Sequence, residues 1–376
     1  MFNHIISRMK SFVVLSLVLC IPPAPAQTAN QVKQTPPVKL GTSGGNIHDA
    51  SKAFCCSGTL GSLVTKGGVD YILSNNHVLA DSDTATVGDA ISQPGLVDVG
   101  CNASLSQTVA NFSQAIPLGS ANVDAAIAQI VAGEVDATGA ILEIGNPAGT
   151  TAPDDSTALN RGVAKSGRTT GLTCASIASV STNVKVQYQQ GCGKGKKFTI
   201  LYLNQVLING SSFSAGGDSG SLIVTSDTVQ PIALLFAGSS STTIGNRISD
   251  VISALGVTFV GPRSTSPSFT CPAAAPITPT HPGPRSTISP AGFARAMEAK
   301  ERHANRLMLD DAVLGIGVGA SSENPSEAVV VIYLEEGRAH SPLPAELNGV
   351  RTEVVRTDAF RAFGWNEPRQ RGCSLK

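Results

Sequence analysis

The chain has 376 residues, 41% hydrophobic and 14% charged, with 27 basic side chains balanced by 27 acidic ones. That composition supports one large core or two smaller ones and excludes a chain disordered throughout. With zero formal charge and no dense basic block beyond Lys194-Gly195-Lys196-Lys197, nucleic acid is excluded as an expected partner.

Residues 1–26 have the layout of an export signal: Arg8 and Lys10, an apolar run from Phe12 to Ile21, then Ala24-Pro25-Ala26. The run is too short to span a bilayer, so no stable membrane insertion is expected, and the chain is read as periplasmic or extracellular. Cys20 raises a lipoprotein alternative, against which stands the bulky Leu19 before it. Export permits disulfides, and seven of the eight cysteines remain once the signal is removed. Their spacing shows no paired C-x-x-C and no histidine partners, which disfavours a zinc site; no metal and no cofactor are expected. Cys174 and Cys192 flank a strand and a glycine-rich turn and are read as a candidate disulfide.

Residues 27–54 are polar and proline-containing and read as a flexible leader, with structure expected from Cys55. Two apolar runs, one ending at Val64 and one covering Asp70 to Ser74, are separated by Lys66-Gly67-Gly68, a hairpin signal. The second continues into Asn75-Asn76-His77-Val78-Leu79-Ala80. A lone histidine after a strand is ordinarily a packed residue. His77 nevertheless has one rival between the signal and Pro262, His48, which lies in a polar stretch with nothing to anchor it.

Asp124 opens the apolar run Asp124-Ala125-Ala126-Ile127-Ala128. It is either a turn residue or the partner of a histidine ring, with Asp81, Asp83, Asp89 and Asp98 as competitors in polar loops. Further on, short strands alternate with glycine turns, including Ala164-Lys165-Ser166-Gly167-Arg168-Thr169-Thr170-Gly171, a pattern of barrels or a sandwich.

Phe213-Ser214-Ala215-Gly216-Gly217-Asp218-Ser219-Gly220-Ser221 then leads into an apolar strand. Gly-Asp-Ser-Gly also occurs in ordinary turns, because Asp and Ser bond their own backbone and glycine supplies positive φ. The chemical reading makes Ser219 a nucleophile, with the N–H groups of Gly217 and Ser219 converging as an oxyanion hole. Its base would be His77, oriented by Asp124.

The order His77, Asp124, Ser219, in Asn-His-Val-Leu-Ala, Asp-Ala-Ala-Ile-Ala and Gly-Gly-Asp-Ser-Gly-Ser, resembles the trypsin-like (chymotrypsin-fold) serine peptidases. Gly-Arg-Thr-Thr-Gly-Leu-Thr and Leu-Leu-Phe-Ala-Gly are similar to bacterial exported members and to the trypsin-like module of plant narrow-leaf proteins. The resemblance implies a mainly β fold, a chymotrypsin-like double β-barrel, over residues 55–261, acting on a protein or peptide substrate. It also implies a specificity pocket at Phe213, Ala237 and Gly238. Two departures stand out. No freed Ile-Val-Gly-Gly terminus is present to pair with Asp218, and Phe213 brings no acid to the pocket, which speaks against strict Lys or Arg preference.

Residues 262–290 carry eight prolines and read as a linker. Residues 291–376 read as a small α+β accessory domain: an amphipathic helix from Phe293 to Leu309, then three strands beginning at Val313, Ala328 and Val350. The function expected is an exported serine endopeptidase; the alternative is an inactive scaffold of the same fold used as a binding or regulatory module. An α/β-hydrolase is disfavoured because no histidine follows Ser219 before the linker.

Overall fold

The computed structural model describes residues 27–51, 54–192, 195–271 and 288–362. The export signal and most of the proline-rich linker lie outside them.

The first barrel is built from β1 (Thr42–Asn46), β2 (Gly58–Leu60), β3 (Ser62–Lys66), β4 (Val69–Ser74), β5 (Ala90–Gln93), β6 (Gln107–Ala115) and β7 (Ala126–Ile130). Neighbours pair in the order β3, β4, β7, β6, β5, β1, β2. Only Gly61 separates β2 from β3, so the sheet closes on itself and no edge is left there. The β3–β4 turn has Gly67 at φ 59° and Gly68 at φ 80°, the two positive values of a type I′ hairpin, as the glycine pair predicts. Leu60, Leu63, Ile72, Leu73, Val109 and Ile127 fill the interior.

The second barrel comprises β8 (Gly162–Gly167), β9 (Gly171–Gln189), β10 (Lys197–Asn209), β11 (Leu222–Thr225), β12 (Pro231–Gly238) and β13 (Thr242–Arg247). The ladder β8–β9–β10–β13–β12–β11 returns to β8, and closure is again complete. A short helix, α1 (Asn76–Leu79), follows β4, and α2 (Ile248–Leu255) follows β13 and leads to β14 (Thr258–Phe259), which pairs back onto β3. This is the chymotrypsin-like double barrel that the three motif segments imply.

The leader reading is corrected. Val38 and Leu40 are fully buried, and β1 lies within the first barrel between β2 and β5. A strand of Thr, Ser, Gly, Gly and Asn looks like a loop because it lacks apolar alternation. It is buried because small residues permit close approach: a Cβ on Gly44 would stand 2.4 Å from Leu60 Cγ. Its polar groups are satisfied inside, as when Asn46 Nδ2 donates to the Leu79 carbonyl at 3.0 Å.

After the linker come α3 (Pro290–Leu307), β15 (Val313–Ala320), β16 (Ala328–Glu335), β17 (Glu346–Leu347), β18 (Val350–Thr357) and β19 (Arg361–Ala362). Ser289 caps α3 by accepting from the Gly292 N–H at 3.0 Å, with Pro290 as the first helical residue. The helix and three main strands match the sequence reading. Their placement adds to it, because β15 pairs with the outer edge of β9, continuing the sheet of the second barrel. Ile316, Val318, Val330 and Ile332 share one core with Ile177, Val206, Ile208 and Phe213. The boundary at 262–290 therefore does not divide two cores.

Candidate active site

His77 sits in α1, at the end of strand β4, and Asp124 in the loop between β6 and β7, so both belong to the first barrel. His77 Nδ1 lies 2.6 Å from Asp124 Oδ2, and the His77 backbone N–H donates to Oδ1 at 3.2 Å. The carboxylate is fully buried and takes a third bond at 2.8 Å from the Tyr188 hydroxyl of β9. Its own N–H donates to Asn246 Oδ1 of β13 at 2.9 Å. The acid of the first barrel is thus held by two side chains of the second. Burial, then the charge of Asp124, pushes the Tyr188 hydroxyl well above its ordinary range, which keeps it a donor.

The competing carboxylates are engaged elsewhere. Asp83 Oδ1 accepts from Asn76 Nδ2 at 2.6 Å, Thr86 N–H binds Asp89, and Thr84 Oγ1 binds Asp81. Asp98 takes a two-pronged bond from Arg168 at 2.8 and 2.7 Å, both side chains being almost fully buried.

Ser219 is carried on the turn before β11, where Gly217 has φ 93° and Gly220 φ 92°. Neither glycine is replaceable without displacement: a Cβ at Gly217 would meet Thr169 Oγ1 at 2.6 Å, and one at Gly220 would meet Ser74 Oγ at 2.0 Å. Thr59 of β2 grips this turn from the first barrel. Its N–H donates to the Ser219 carbonyl at 2.8 Å and its hydroxyl to the Gly217 carbonyl at 2.9 Å. The Ser219 turn is therefore registered against the histidine-bearing barrel by bonds to its carbonyls on both sides of Asp218.

Asp218 is itself fully buried. It accepts from Thr169 N–H at 2.8 Å, Thr170 N–H at 3.2 Å, Thr170 Oγ1 at 2.7 Å and Ala215 N–H at 3.0 Å. The Lys165 ammonium of β8 stands 3.5 Å away, fully buried as well. Burial lowers Lys165 from the ordinary lysine range, against the pull of Asp218. Here is the partner that the missing Ile-Val-Gly-Gly terminus left open: an internal lysine and the β8–β9 turn.

Ser219 Oγ points to the Phe236 carbonyl at 3.4 Å, and His77 Nε2 is buried with no hydrogen-bond partner among the described residues. The acid–histidine bond is formed, while the histidine–serine bond is not. Catalytic hydrogen bonds commonly tighten only when substrate binds. Of the residues expected at the pocket, Phe213 is buried in the second core, its carbonyl accepting from Thr173 Oγ1 at 2.7 Å. Ala237 and Gly238 end β12, one and two residues beyond Phe236.

The Cys174–Cys192 reading is corrected. Cys174 is bonded to Cys271, Cys192 to Cys56, and Cys55 to Cys101. The antiparallel ladder explains it: Cys174 pairs with Ala164 near the start of β9, whereas Cys192 lies beyond its far end, a strand length away. Tyr188, Thr59, Asn246 and Lys165 are the supporting residues that sequence reading did not single out. Only Lys165, a lone charge in a run that otherwise reads as buried strand, carried a visible signal.

No family model matches the chain, and no curated protein does. Among solved structures it is similar to chymotrypsin-type serine proteases. A glutamic-acid-specific serine protease aligns at a TM-score of 0.42 and 21% identity, covering 59% of this chain and 100% of its own. Protease A of Thermobifida fusca aligns at 0.37 and 17%, covering 55% and 92% respectively. An alpha-lytic protease homolog aligns at 0.39 and 16%, covering 59% and 98%. The site stands on its own geometry.

Proposed function

We propose that the chain is an exported serine endopeptidase. Ser219 Oγ attacks the scissile carbonyl while His77 Nε2 takes its proton, and the N–H groups of Gly217 and Ser219 receive the oxyanion. Collapse of the tetrahedral adduct breaks the C–N bond, with His77 returning the proton to the leaving amine. Water then attacks the acyl-enzyme by the same route and releases the acid. Asp124 holds the Nδ1–H tautomer and stabilises the imidazolium. The carrying observation is the 2.6 Å contact between His77 Nδ1 and the buried Asp124 carboxylate. Three disulfides support an oxidising compartment. Among the described residues no helix is long and apolar enough to cross a membrane.

A fluorophosphonate should label Ser219, and an unstructured protein should be cleaved. Ser219→Ala and His77→Ala are each expected to lower turnover by about 10⁶, the pair by little more, and Asp124→Asn by about 10⁴. Hydrolysis surviving Ser219→Ala would exclude the mechanism. Absence of labelling would leave the inactive scaffold as the reading.

A further inference from the structure

Strand β12 has an edge that its barrel does not fill. On one side β13 accompanies it to the end, with Ala237 opposite Ile244 and Gly238 opposite Thr243. On the other, β11 begins at Leu222, opposite Leu234, and the turn before it carries the pairing one residue further, Leu235 N–H donating to the Ser221 carbonyl at 3.0 Å and its carbonyl accepting from Gly220 N–H at 2.8 Å. Beyond that point the open edge passes Phe236, whose carbonyl is 3.4 Å from Ser219 Oγ, and reaches Ala237 and Gly238. The chain's own β19 lies there, antiparallel, with Ala362 opposite Ala237 and Arg361 opposite Gly238. Passing from Arg361 to Ala362 therefore moves from Gly238 towards Phe236 and the nucleophile. A polypeptide in this place is delivered to Ser219 with its carbonyl end foremost, the direction needed for an acyl group to be transferred to the serine.

The segment is anchored at several points. The Gln187 N–H of β9 donates to the Phe360 carbonyl at 2.9 Å. The Phe360 ring is fully buried and meets Tyr333 edge-on at 5.9 Å between centroids. Asp358 Oδ1 accepts from the Ser240 N–H at 2.8 Å and from its hydroxyl at 2.5 Å, in the turn joining β12 to β13. Thr357 adds hydroxyl contacts to Ser241 at 3.0 Å and to Ser239 at 2.6 Å. An edge strand that binds by main-chain pairing, with side chains in flanking sites, is a general means of peptide recognition.

We infer that segment Asp358–Ala362 acts as a built-in inhibitor, occupying in cis the Ala237–Gly238 edge along which, on the endopeptidase reading, the acyl side of a peptide substrate would lie. The inference rests on the endopeptidase reading and adds its regulation: substrate and the C-terminal segment compete for one strand position. Ser219 is fully buried in this arrangement. Removing or displacing the segment opens the edge.

A tethered strand has an effective concentration on the order of a millimolar, so a segment binding at roughly 0.1 mM holds the free edge to about a tenth. The test compares the full chain with one ending at Thr357, using a chromogenic oligopeptide as substrate and a fluorophosphonate as a small probe of Ser219. Truncation should raise kcat/KM about ten-fold, and a synthetic peptide of residues 357–362 should then inhibit the truncated protein competitively. Labelling of both chains with no gain in oligopeptide hydrolysis overturns the inference and leaves the endopeptidase reading intact. Failure of the fluorophosphonate to label full-length protein, truncated protein and the variant below sinks the endopeptidase reading, and this inference with it. If the truncated chain does not fold, full-length Asp358→Ala decides: it releases the exposed clamp on Ser240 and should raise hydrolysis, and an unchanged rate in labelled protein overturns the inference.

Discussion

Replacing Lys165 with Met tests whether an internal lysine supports the turn that carries Ser219. Both members of the Lys165–Asp218 pair are fully buried at 3.5 Å. Methionine keeps an unbranched apolar stem of similar length, so packing near Phe213, whose ring centroid is 5.9 Å from the ammonium, is largely retained. What is lost is the counter-charge, together with the ammonium's hydrogen bonds to Thr170 Oγ1 and to the Gly171 carbonyl, and breaking one side of a buried pair costs about 3–5 kcal/mol. Asp218 keeps its bonds from Thr169, Thr170 and Ala215, which places the expected loss near the low end, about 3 kcal/mol. In a body of more than 300 residues that corresponds to a melting point lower by roughly 4–5 °C. Lys165→Met/Asp218→Asn removes both charges and should recover at least half of the loss, a coupling that a double-mutant cycle reads directly. The assay is denaturant unfolding of the four proteins, with fluorophosphonate labelling as the report on the turn. A single variant within about 0.5 kcal/mol of wild type, or a double variant no more stable than the single, would refute the argument.

Tyr188→Phe deletes a donor to the buried Asp124 carboxylate and should destabilise by about 1.5–3 kcal/mol while lowering kcat more than it raises KM; an unaltered kcat would mean that the acid needs no help from β9. Gly220→Ala should prevent folding or abolish labelling, since the new Cβ would stand 2.0 Å from Ser74 Oγ, and a labelled, stable variant would contradict the packing. Asp358 is held below its ordinary carboxylate range; although burial opposes this, hydrogen bonds from Ser240 prevail. The sign follows: its contribution is present above the ordinary value of 3.8, is lost as pH falls through the lower folded value, and should make the stability gap between wild type and Asp358→Asn shrink over that window. Limited proteolysis within residues 272–287 should nick the chain without releasing its C-terminal unit, because β15 pairs with β9 and both share a core; fragments that separate on native gel filtration would disprove this.

Three short segments pointed to the candidate site in sequence, because the proposed chemistry would need particular residue types at His77, Asp124 and Ser219, and a turn that demands positive φ needs glycine; of these, His77 and Asp124 are in contact. The barrel strands were legible where apolar residues alternate or a glycine pair marks a hairpin, as at Lys66-Gly67-Gly68. Strand β1 was not, since its burial comes from the absence of side-chain bulk and not from hydrophobicity. The disulfide pairs were hidden for another reason. Which cysteine meets which depends on where β9 ends, and a strand of 19 residues carries Cys174 and Cys192 far apart. Tyr188 and Asn246 touch Asp124 across the interface between barrels, a relation that no local pattern announces. Docking of the C-terminal unit on β9 was equally invisible, because a linker's composition tells how a chain is connected and not which edge its far end pairs with.

The neighbouring cysteines Cys55 and Cys56 send their bonds in different directions, one within the first barrel to Cys101 and one across to Cys192 at the tip of the β9–β10 hairpin. Tyr188 lies four residues before Cys192 on that hairpin and reaches Asp124. The bond to Cys192 and the bond from Tyr188 to Asp124 thus tie the same hairpin to the first barrel at two points. A reducing environment unties the hairpin tip from the barrel that carries His77, and an oxidising one fastens it.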